Sequence, residues 1–191
     1  MTETTRGFFV AIESLHGLVA HEQAEMLSAN LRFIERSAVV LRFCNPAVVD
    51  EELGTAFGPI SARVIERRVV DEKTAAITIG YACDAIRAAM RERRSNLEWG
   101  SYGGIPKPDL MLYLDCSVDR ALSIGPDCVR SDVWRCALEN IKSVMDELPK
   151  TDRFRCLSID ANRPAWRVAV DVNDAIFSEI EKPLPPLTRF T

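Results

Sequence analysis

Short apolar runs alternate with amphipathic segments along most of the chain, and this alternation constrains the fold more than any other feature. The apolar runs predict strands over residues 8–12, 39–43, 109–115 and 156–159. Helical spacing of apolar residues predicts helices over residues 22–36, 59–70, 72–94, 117–123, 132–148 and 164–180. Strands that alternate with helices build a parallel sheet flanked by helices on both faces. The sequence therefore predicts a three-layer α/β fold.

The size and composition of the chain indicate an ordinary globular protein. Its 191 residues predict a single domain over residues 1–182, followed by an extended C-terminal tail over residues 183–191. The formal net charge of −4 gives no general attraction to nucleic acid. Because no stretch approaches the roughly 18 apolar residues of a membrane span, we expect no membrane-spanning segment.

The cysteines favour a reducing, intracellular compartment. None of the six forms a C-x-x-C pair, and the two histidines lie far from them in sequence, so a zinc site is not expected. Buried free thiols in the cytoplasm or nucleus explain the cysteines better, although import into an organelle stays open. The apolar run at residues 8–12 is too short for a secretory signal.

Three longer stretches together resemble the thymidylate kinases, a family of P-loop nucleoside monophosphate kinases. They are RGFFVAIESLHGLVAHEQAEML at residues 6–27, GIPKPDLMLYLDCSVDRAL at 104–122 and LSIDANRPAWRVAVDVNDAI at 157–176. The segment IPKPDLMLYLD is the most specific of the matches. The resemblance covers most of the chain and implies a P-loop NTPase-like sheet with a phosphate loop after the first strand.

The residues of that phosphate loop depart from the family pattern G-x-x-x-x-G-K-[ST]. The pattern needs glycines so that backbone N–H groups can wrap the phosphates, a lysine to neutralise charge, and a hydroxyl to hold Mg²⁺. The resemblance places Ser14 and Val19 at the glycine positions, Ala20 at the lysine and His21 at the hydroxyl. Gly17 remains inside the loop, and His16 replaces an acidic residue of the family. These six positions are therefore predicted to be vestigial.

Other family positions are altered as well. Phe43 is followed two residues later by Asn45 and then Pro46, so proline stands where the family has an arginine for the substrate phosphate. Arg130 matches one lid arginine. No strand is predicted where the family's third strand ends in an Asp-Arg pair, so the sequence predicts that this strand has been lost.

Several features allow two interpretations. His16 and His21 could bind an anion or a metal, or they could be solvated loop residues. Trp99 and Tyr102 could form an exposed recognition loop, or they could cover the sheet edge that a lost strand would leave open.

The predicted 72–94 helix has two features of its own. Its arginine stripe, Arg87, Arg91 and Arg94, could meet an anion or an acidic partner, or it could be a solvated face. Ala82 and Ala89 on the same helix are small enough to admit a second helix closely. The sequence predicts a partner interface there, with the 59–70 and 132–148 helices as alternatives.

The resemblance and its departures together predict a catalytically inactive kinase-like protein. Such a chain would act through protein partners, as a homo- or hetero-oligomer, and would need no cofactor. The alternative is an active or nucleotide-binding dTMP kinase with an atypical phosphate loop, which would use ATP and Mg²⁺. The phosphate loop distinguishes the two hypotheses.

Overall fold

The computed structural model describes residues 6–42, 74–82, 85–86, 89–90, 92, 97, 99, 104–124, 132–182 and 184–190. Five strands are present in this part of the chain: β1 (Phe8–Ser14), β2 (Ser37–Arg42), β3 (Thr74–Ile79), β4 (Leu110–Asp115) and β5 (Cys156–Asp160). The named helices are α1 (Gly17–Phe33), α2 (Val118–Ile124), α3 (Asp132–Met145), a 3-10 turn (Leu148–Lys150) and α4 (Ala165–Ile180).

The strands form one parallel sheet in the order β2-β3-β1-β4-β5. The three inner strands are almost wholly buried, which agrees with the long apolar runs in β1 and β4. Helix α1 contacts β1, β2, β3 and α4, whereas α3 packs beside α2. The predicted α/β class with a parallel sheet is confirmed.

The prediction that the third strand has been lost is wrong. Strand β3 lies between β2 and β1, with Val10 of β1 beside Ile77 of β3 and Val40 of β2 beside the same residue. The predicted 72–94 helix is wrong over this stretch, although residues 85, 86, 89 and 90 are helical. Alanines in the sequence TAAITI favour a helix locally. This segment is nevertheless a strand, because its small and β-branched side chains pack on both faces of the sheet between β1 and β2.

The segment after α4 lies against its own chain. Residues 184–188 form no helix or strand, and Arg189 forms an antiparallel bridge with Pro106. Phe190 is buried in the core. The predicted division into a domain over residues 1–182 and an extended tail over 183–191 stays a prediction.

Candidate phosphate-loop site

The candidate site lies at the carboxyl ends of β1, β3 and β4. Strand β1 is at the centre of the sheet, and the chain moves to β2 and β3 on one side before it crosses to β4 and β5 on the other. Ligands of open α/β sheets bind outside the carboxyl ends of the strands where the direction of winding reverses. The residues that follow β1 therefore occupy the place where a phosphate would bind in such a fold.

The connection from β1 to α1 is only two residues long. Strand β1 runs to Ser14 and α1 begins at Gly17, so Leu15 and His16 alone join them. Leu15 is buried, and the Ser14 hydroxyl donates to the carbonyl oxygen of Leu114 at 3.1 Å. Residues 17–21, which the resemblance places at the end of a phosphate loop, form the first turn of a helix instead.

His16 caps this helix and engages its first N–H groups. The N–H of Leu18 donates to His16 Nδ1 at 3.3 Å, and the N–H of Val19 donates to the His16 carbonyl oxygen at 3.0 Å. Partial burial lowers the pKa of His16, which favours the neutral imidazole that accepts this hydrogen bond. Two of the amides that an anion could use at this helix end are thus already bonded within the turn.

The positions of the lysine and the hydroxyl carry no phosphate-binding group. Ala20 is buried at 1% exposure, and Val19 beside it is also buried. His21 lies on the first turn of α1 with its Nδ1 atom 3.7 Å from Glu25 Oε1. Mg²⁺ prefers oxygen ligands in octahedral geometry, and an imidazole in this position does not fit it. In the described part of the chain, no group of three or more His, Cys, Asp or Glu side chains could hold a metal ion.

Glu13 is a buried carboxyl group at the site that the sequence did not indicate. It is the penultimate residue of β1, and its Oε1 atom accepts the N–H of Ala82 at 3.0 Å. Burial raises the pKa of Glu13 to about 7, while the backbone N–H groups of Ala82 and Tyr81 act in the opposite direction. The contact ties β1 to the turn after β3. A carboxyl group directly after the apolar run at residues 8–12 was the available signal.

The described residues from Thr78 to Ala82, at the end of β3, include no charged side chain. The residues from Thr78 to Ala82 read TIGYA, without the Asp-Arg pair that the resemblance implies there. Tyr81 is buried and donates its hydroxyl to the Pro106 carbonyl oxygen at 2.7 Å. Asp84 and Arg87, which follow Ala82 in the sequence, lie outside the described residues, so the loss of the pair stays a prediction.

A polar cluster sits at the carboxyl end of β4. The Lys142 ammonium lies 2.7 Å from Asp115 Oδ1 and 2.8 Å from Asp146 Oδ1. The buried Tyr113 hydroxyl donates to Asp146 Oδ1 at 2.7 Å, and burial together with this bond raises the pKa of Tyr113. The ammonium is therefore balanced by two carboxylates within the fold.

A small cavity of about 120 Å³ opens beside the first turn of α1. Its lining includes Val19, Arg120, Arg163 and the buried Gln23, whose amide nitrogen donates to the Ala165 carbonyl oxygen at 3.1 Å. The Gln23 Oε1 atom has no hydrogen-bond partner in the structure. This volume lies below the roughly 300–1,000 Å³ of ordinary ligand pockets.

The remaining predicted residues divide into two groups. Ala82 and Ala89 are described and almost fully buried in the chain's own core, which leaves them no exposed surface for a partner. Trp99 is buried against Phe154 and Phe190 and is not part of an exposed recognition loop. The others lie outside the described residues, namely Phe43, Pro46, Arg87, Arg91, Arg94, Tyr102 and Arg130.

Comparison with known proteins shows which solved structure the fold resembles. No family model matches the sequence, and no curated protein matches it. The structure is similar to that of a thymidylate kinase from Candida albicans, with a TM-score of 0.68 over 97% of this chain and 99% of that one. The two sequences are 14% identical over this match, so the likeness concerns the fold. In the described part of the chain no helix is long and apolar enough to cross a membrane. The structural similarity shows that the chain has a thymidylate kinase-like, P-loop NTPase-like fold.

Proposed function

We propose that this chain does not transfer phosphate and acts as a protein-interaction subunit of a complex. The observation that carries the proposal is the two-residue connection between β1 and α1, capped by His16. A phosphate loop must wrap an anion with free backbone N–H groups. Here the N–H groups of Leu18 and Val19 donate to His16 itself.

The charges around this turn support the same proposal. Phosphoryl transfer is catalysed almost entirely by positioning and by electrostatic stabilisation of the transferred group. Ala20 supplies no charge at the lysine position, and the described residues 78–82 at the end of β3 supply none either. The Lys142 ammonium is held by Asp115, the last residue of β4, and by Asp146, which follows α3. Losing one charge could be compensated elsewhere, but losing the lysine, the Mg²⁺ hydroxyl and the β3 pair together removes the main electrostatic groups.

Two helices carry apolar side chains that a partner could cover. Trp166 and Val170 are 60% and 50% exposed, and they lie one turn apart on the same face of α4. Val133 and Trp134 are exposed on the first turn of α3, within one of the segments predicted as an interface. Neighbouring exposed apolar residues of this kind mark interaction surfaces more often than isolated ones do.

The second candidate function is nucleotide binding without transfer. The cavity beside α1 favours it, because Arg120 and Arg163 line it and Gln23 Oε1 lacks a partner there. Its volume of about 120 Å³ would admit one ring and not a whole nucleotide. We therefore rank this function below the first.

The proposal is tested by incubating the purified chain with MgATP and dTMP. We expect no ADP above the enzyme-free rate and no heat of MgATP binding by calorimetry, with an active thymidylate kinase as the control in the same buffer. Turnover near the 1–100 s⁻¹ that is roughly typical of kinases would contradict it. Binding without ADP production would establish the second candidate.

The interaction part of the proposal needs a separate measurement. The chain carrying Trp166→Ala and Val170→Ala is compared with wild type for recovery of a stoichiometric partner from native extract. Asp174→Ala, an exposed polar change on the same helix, is the matched control. Equal recovery by all three chains would exclude this face of α4 as the interface.

A further inference from the structure

The cavity beside the first turn of α1 is lined by four separate parts of the fold. Val19 and Gln23 come from α1, Arg120 from α2, and Arg163 from the loop between β5 and α4. The first turn of α4 contributes the fourth part of the lining. The space of about 120 Å³ is several times the roughly 10–15 Å³ that a single ordered water requires, so it can admit a small organic molecule.

Gln23 brings an unpaired hydrogen-bond acceptor to this cavity. The residue is 1% exposed, and its Nε2 atom donates to the Ala165 carbonyl oxygen at 3.1 Å. That bond fixes the orientation of the amide, because the opposite orientation would set two oxygen atoms against each other. The Oε1 atom then has no hydrogen-bond partner in the described part of the chain. A buried acceptor without a partner is destabilising, and an O–H or N–H group of a ligand would satisfy it.

Arg120 brings a positive charge to the same cavity. Its Nε atom donates to the Ala161 carbonyl oxygen at 3.2 Å, which holds the guanidinium in place. Among the described residues no carboxylate forms an ion pair with Arg120, and the neighbouring Asp119 pairs with Arg135 instead. The two Nη atoms of Arg120 are therefore available to an anion.

Arg163 and Glu22 modify this charge in opposite ways. The Nε atom of Arg163 donates to the Asp160 carbonyl oxygen at 3.0 Å, and its Nη2 atom pairs with Asp171. Because Asp171 neutralises much of the Arg163 charge, Arg120 is the main attraction for an anion. Glu22 is exposed and also lines the cavity, where its carboxylate would attract an ammonium group.

The rest of the lining is apolar and excludes a highly charged ligand. It consists of Leu18, Val19, Ile124, Ala161, Ala165 and Val168. A complementary ligand has one carboxylate for Arg120, one O–H or N–H donor for Gln23 Oε1, and little else. A carboxylate is planar and matches the paired donors of a guanidinium.

We propose that this cavity binds a small α-hydroxy or α-amino carboxylic acid. In both classes the donor is attached to the carbon beside the carboxylate, so a molecule of a few non-hydrogen atoms presents both groups together. A nucleobase, which the second candidate function would place here, is neutral and would leave Arg120 without a counter-charge. A water molecule would satisfy Gln23 Oε1 but not the charge of Arg120.

Acid binding at this cavity goes beyond the proposed function and does not depend on it. The absence of phosphate transfer follows from the turn after β1, and the partner experiment concerns the exposed face of α4. ADP production by the chain would leave acid binding standing. A chain that bound no acid could still act as an interaction subunit.

Small probes of similar size test the ligand class on the unaltered chain. L-lactate and L-alanine carry both groups, propanoate lacks the donor, and lactamide lacks the carboxylate. In NMR titrations of the backbone and side-chain amides, we expect L-lactate or L-alanine to bind at least about tenfold more tightly than the other two probes. Tighter binding of L-alanine than of L-lactate would assign the ammonium to Glu22, and the reverse order would assign the hydroxyl to Gln23. Either order supports the proposal.

Three outcomes of the titrations would overturn the proposal. The first is no saturable binding of L-lactate or L-alanine up to about 10 mM. The second is equal binding of all the probes, which would indicate that neither Arg120 nor Gln23 recognises a specific group. The third is a set of shifted amides that leaves out the side-chain amide of Gln23 and the residues around the cavity.

Variants assign the two contacts to their residues. Arg120→Ala should weaken binding of the preferred acid about ten- to a hundredfold. Arg135→Ala removes an arginine that does not line the cavity and is the matched control, with an expected change within about twofold. Gln23→Leu should reduce the affinity for L-lactate to that for propanoate, because the acceptor is lost while the shape is nearly kept.

Circular dichroism establishes whether each variant folds. If the Gln23→Leu chain does not fold, the probe series on the unaltered chain and the Arg120→Ala variant still decide. Unchanged acid binding by a folded Arg120→Ala chain would overturn the proposal. So would a folded Gln23→Leu chain that still binds L-lactate more tightly than propanoate.

Discussion

Arg6 and Asp109 form a two-pronged ion pair although 103 residues separate them in the sequence. Arg6 Nη1 lies 2.8 Å from Asp109 Oδ2, and Arg6 Nη2 lies 2.6 Å from Asp109 Oδ1. Asp109 Oδ2 also accepts the N–H of Phe9 at 2.8 Å. Both side chains are 11% exposed, so the pair is largely shielded from solvent. It joins the start of β1 to the start of β4, and through Pro185 it also holds the C-terminal segment.

We predict that Arg6→Ala lowers the free energy of unfolding by about 3 kcal/mol, because it leaves the Asp109 carboxylate shielded and unpaired. Asp109→Asn should cost less than Arg6→Ala, since the amide oxygen can still accept the Phe9 N–H. Urea denaturation followed by circular dichroism measures both changes. Arg153→Ala removes an exposed arginine 3.9 Å from Asp152 and is the control, with an expected change within about 0.5 kcal/mol. A loss for Arg6→Ala no larger than the control's would contradict this role.

Glu13 predicts a specific dependence of stability on pH. Its pKa is about 7 in the folded chain, against an ordinary value of 4.5. Between these pH values the unfolded chain releases the proton and the folded chain keeps it. The contribution of Glu13 is therefore fully present below pH 4.5 and is lost as the pH rises to about 7.

Glu13→Gln should abolish this part of the pH dependence, because the amide cannot titrate and its oxygen can still accept the Ala82 N–H. Relative to wild type, the variant should gain stability as the pH rises from 4 to 8, up to roughly 3 kcal/mol. Urea denaturation at each pH gives the difference. Glu22→Gln on the exposed face of α1 is the control, with a difference below about 0.5 kcal/mol throughout. A constant difference between Glu13→Gln and wild type would mean that Glu13 is ionised in the fold.

Ala20→Lys alone should not create an ATP site. The first turn of α1 and its His16 cap would remain, so the loop that must wrap the phosphates would still be absent. We expect no heat of MgATP binding by calorimetry. The buried position should also make the variant about 1–3 kcal/mol less stable, because the side chain overpacks the core. Ala20→Met, similar in length and uncharged, is the matched control. Micromolar ATP affinity in the lysine variant would show that the backbone is already shaped for phosphate.

The sequence predicted the inner strands β1 and β4 correctly because each contains a long apolar run. It failed at β3, where TAAITI has the alanines of a helix and only burial between β1 and β2 determines a strand. The predicted helix over residues 22–36 begins five residues later than α1 does, because the family pattern assigns residues 17–21 to a phosphate loop. His16 is an unusual helix cap, and its role depends on the side-chain geometry.

The contacts at the amino ends of the strands could not be predicted for a different reason. The Arg6–Asp109 pair and the packing of Phe190 on Trp99 join residues that are distant in sequence. An arginine before a strand and an aromatic residue near the end of a chain are both common. The sequence indicated only that the C-terminal segment would be extended, and the surface that receives it emerges from the fold.

Gly17 gives the most direct test of whether a phosphate loop survives. The motif glycines correspond to Ser14 and Val19, and Gly17 is the glycine that remains between them. If the loop there needed close backbone approach or a positive φ, alanine at position 17 would be damaging. Here Gly17 is the first residue of α1, and a Cβ atom added to it would meet nothing within 4 Å. Gly17→Ala should therefore raise the free energy of unfolding by about 0.5 kcal/mol, through the higher helix propensity of alanine. Gly104→Ala is the matched control, because it also meets nothing within 4 Å but has a φ of +79°. That change should destabilise the chain by about 1 kcal/mol. If urea denaturation shows that Gly17→Ala destabilises as much as Gly104→Ala does, the turn after β1 needs its glycine for a reason other than helix formation.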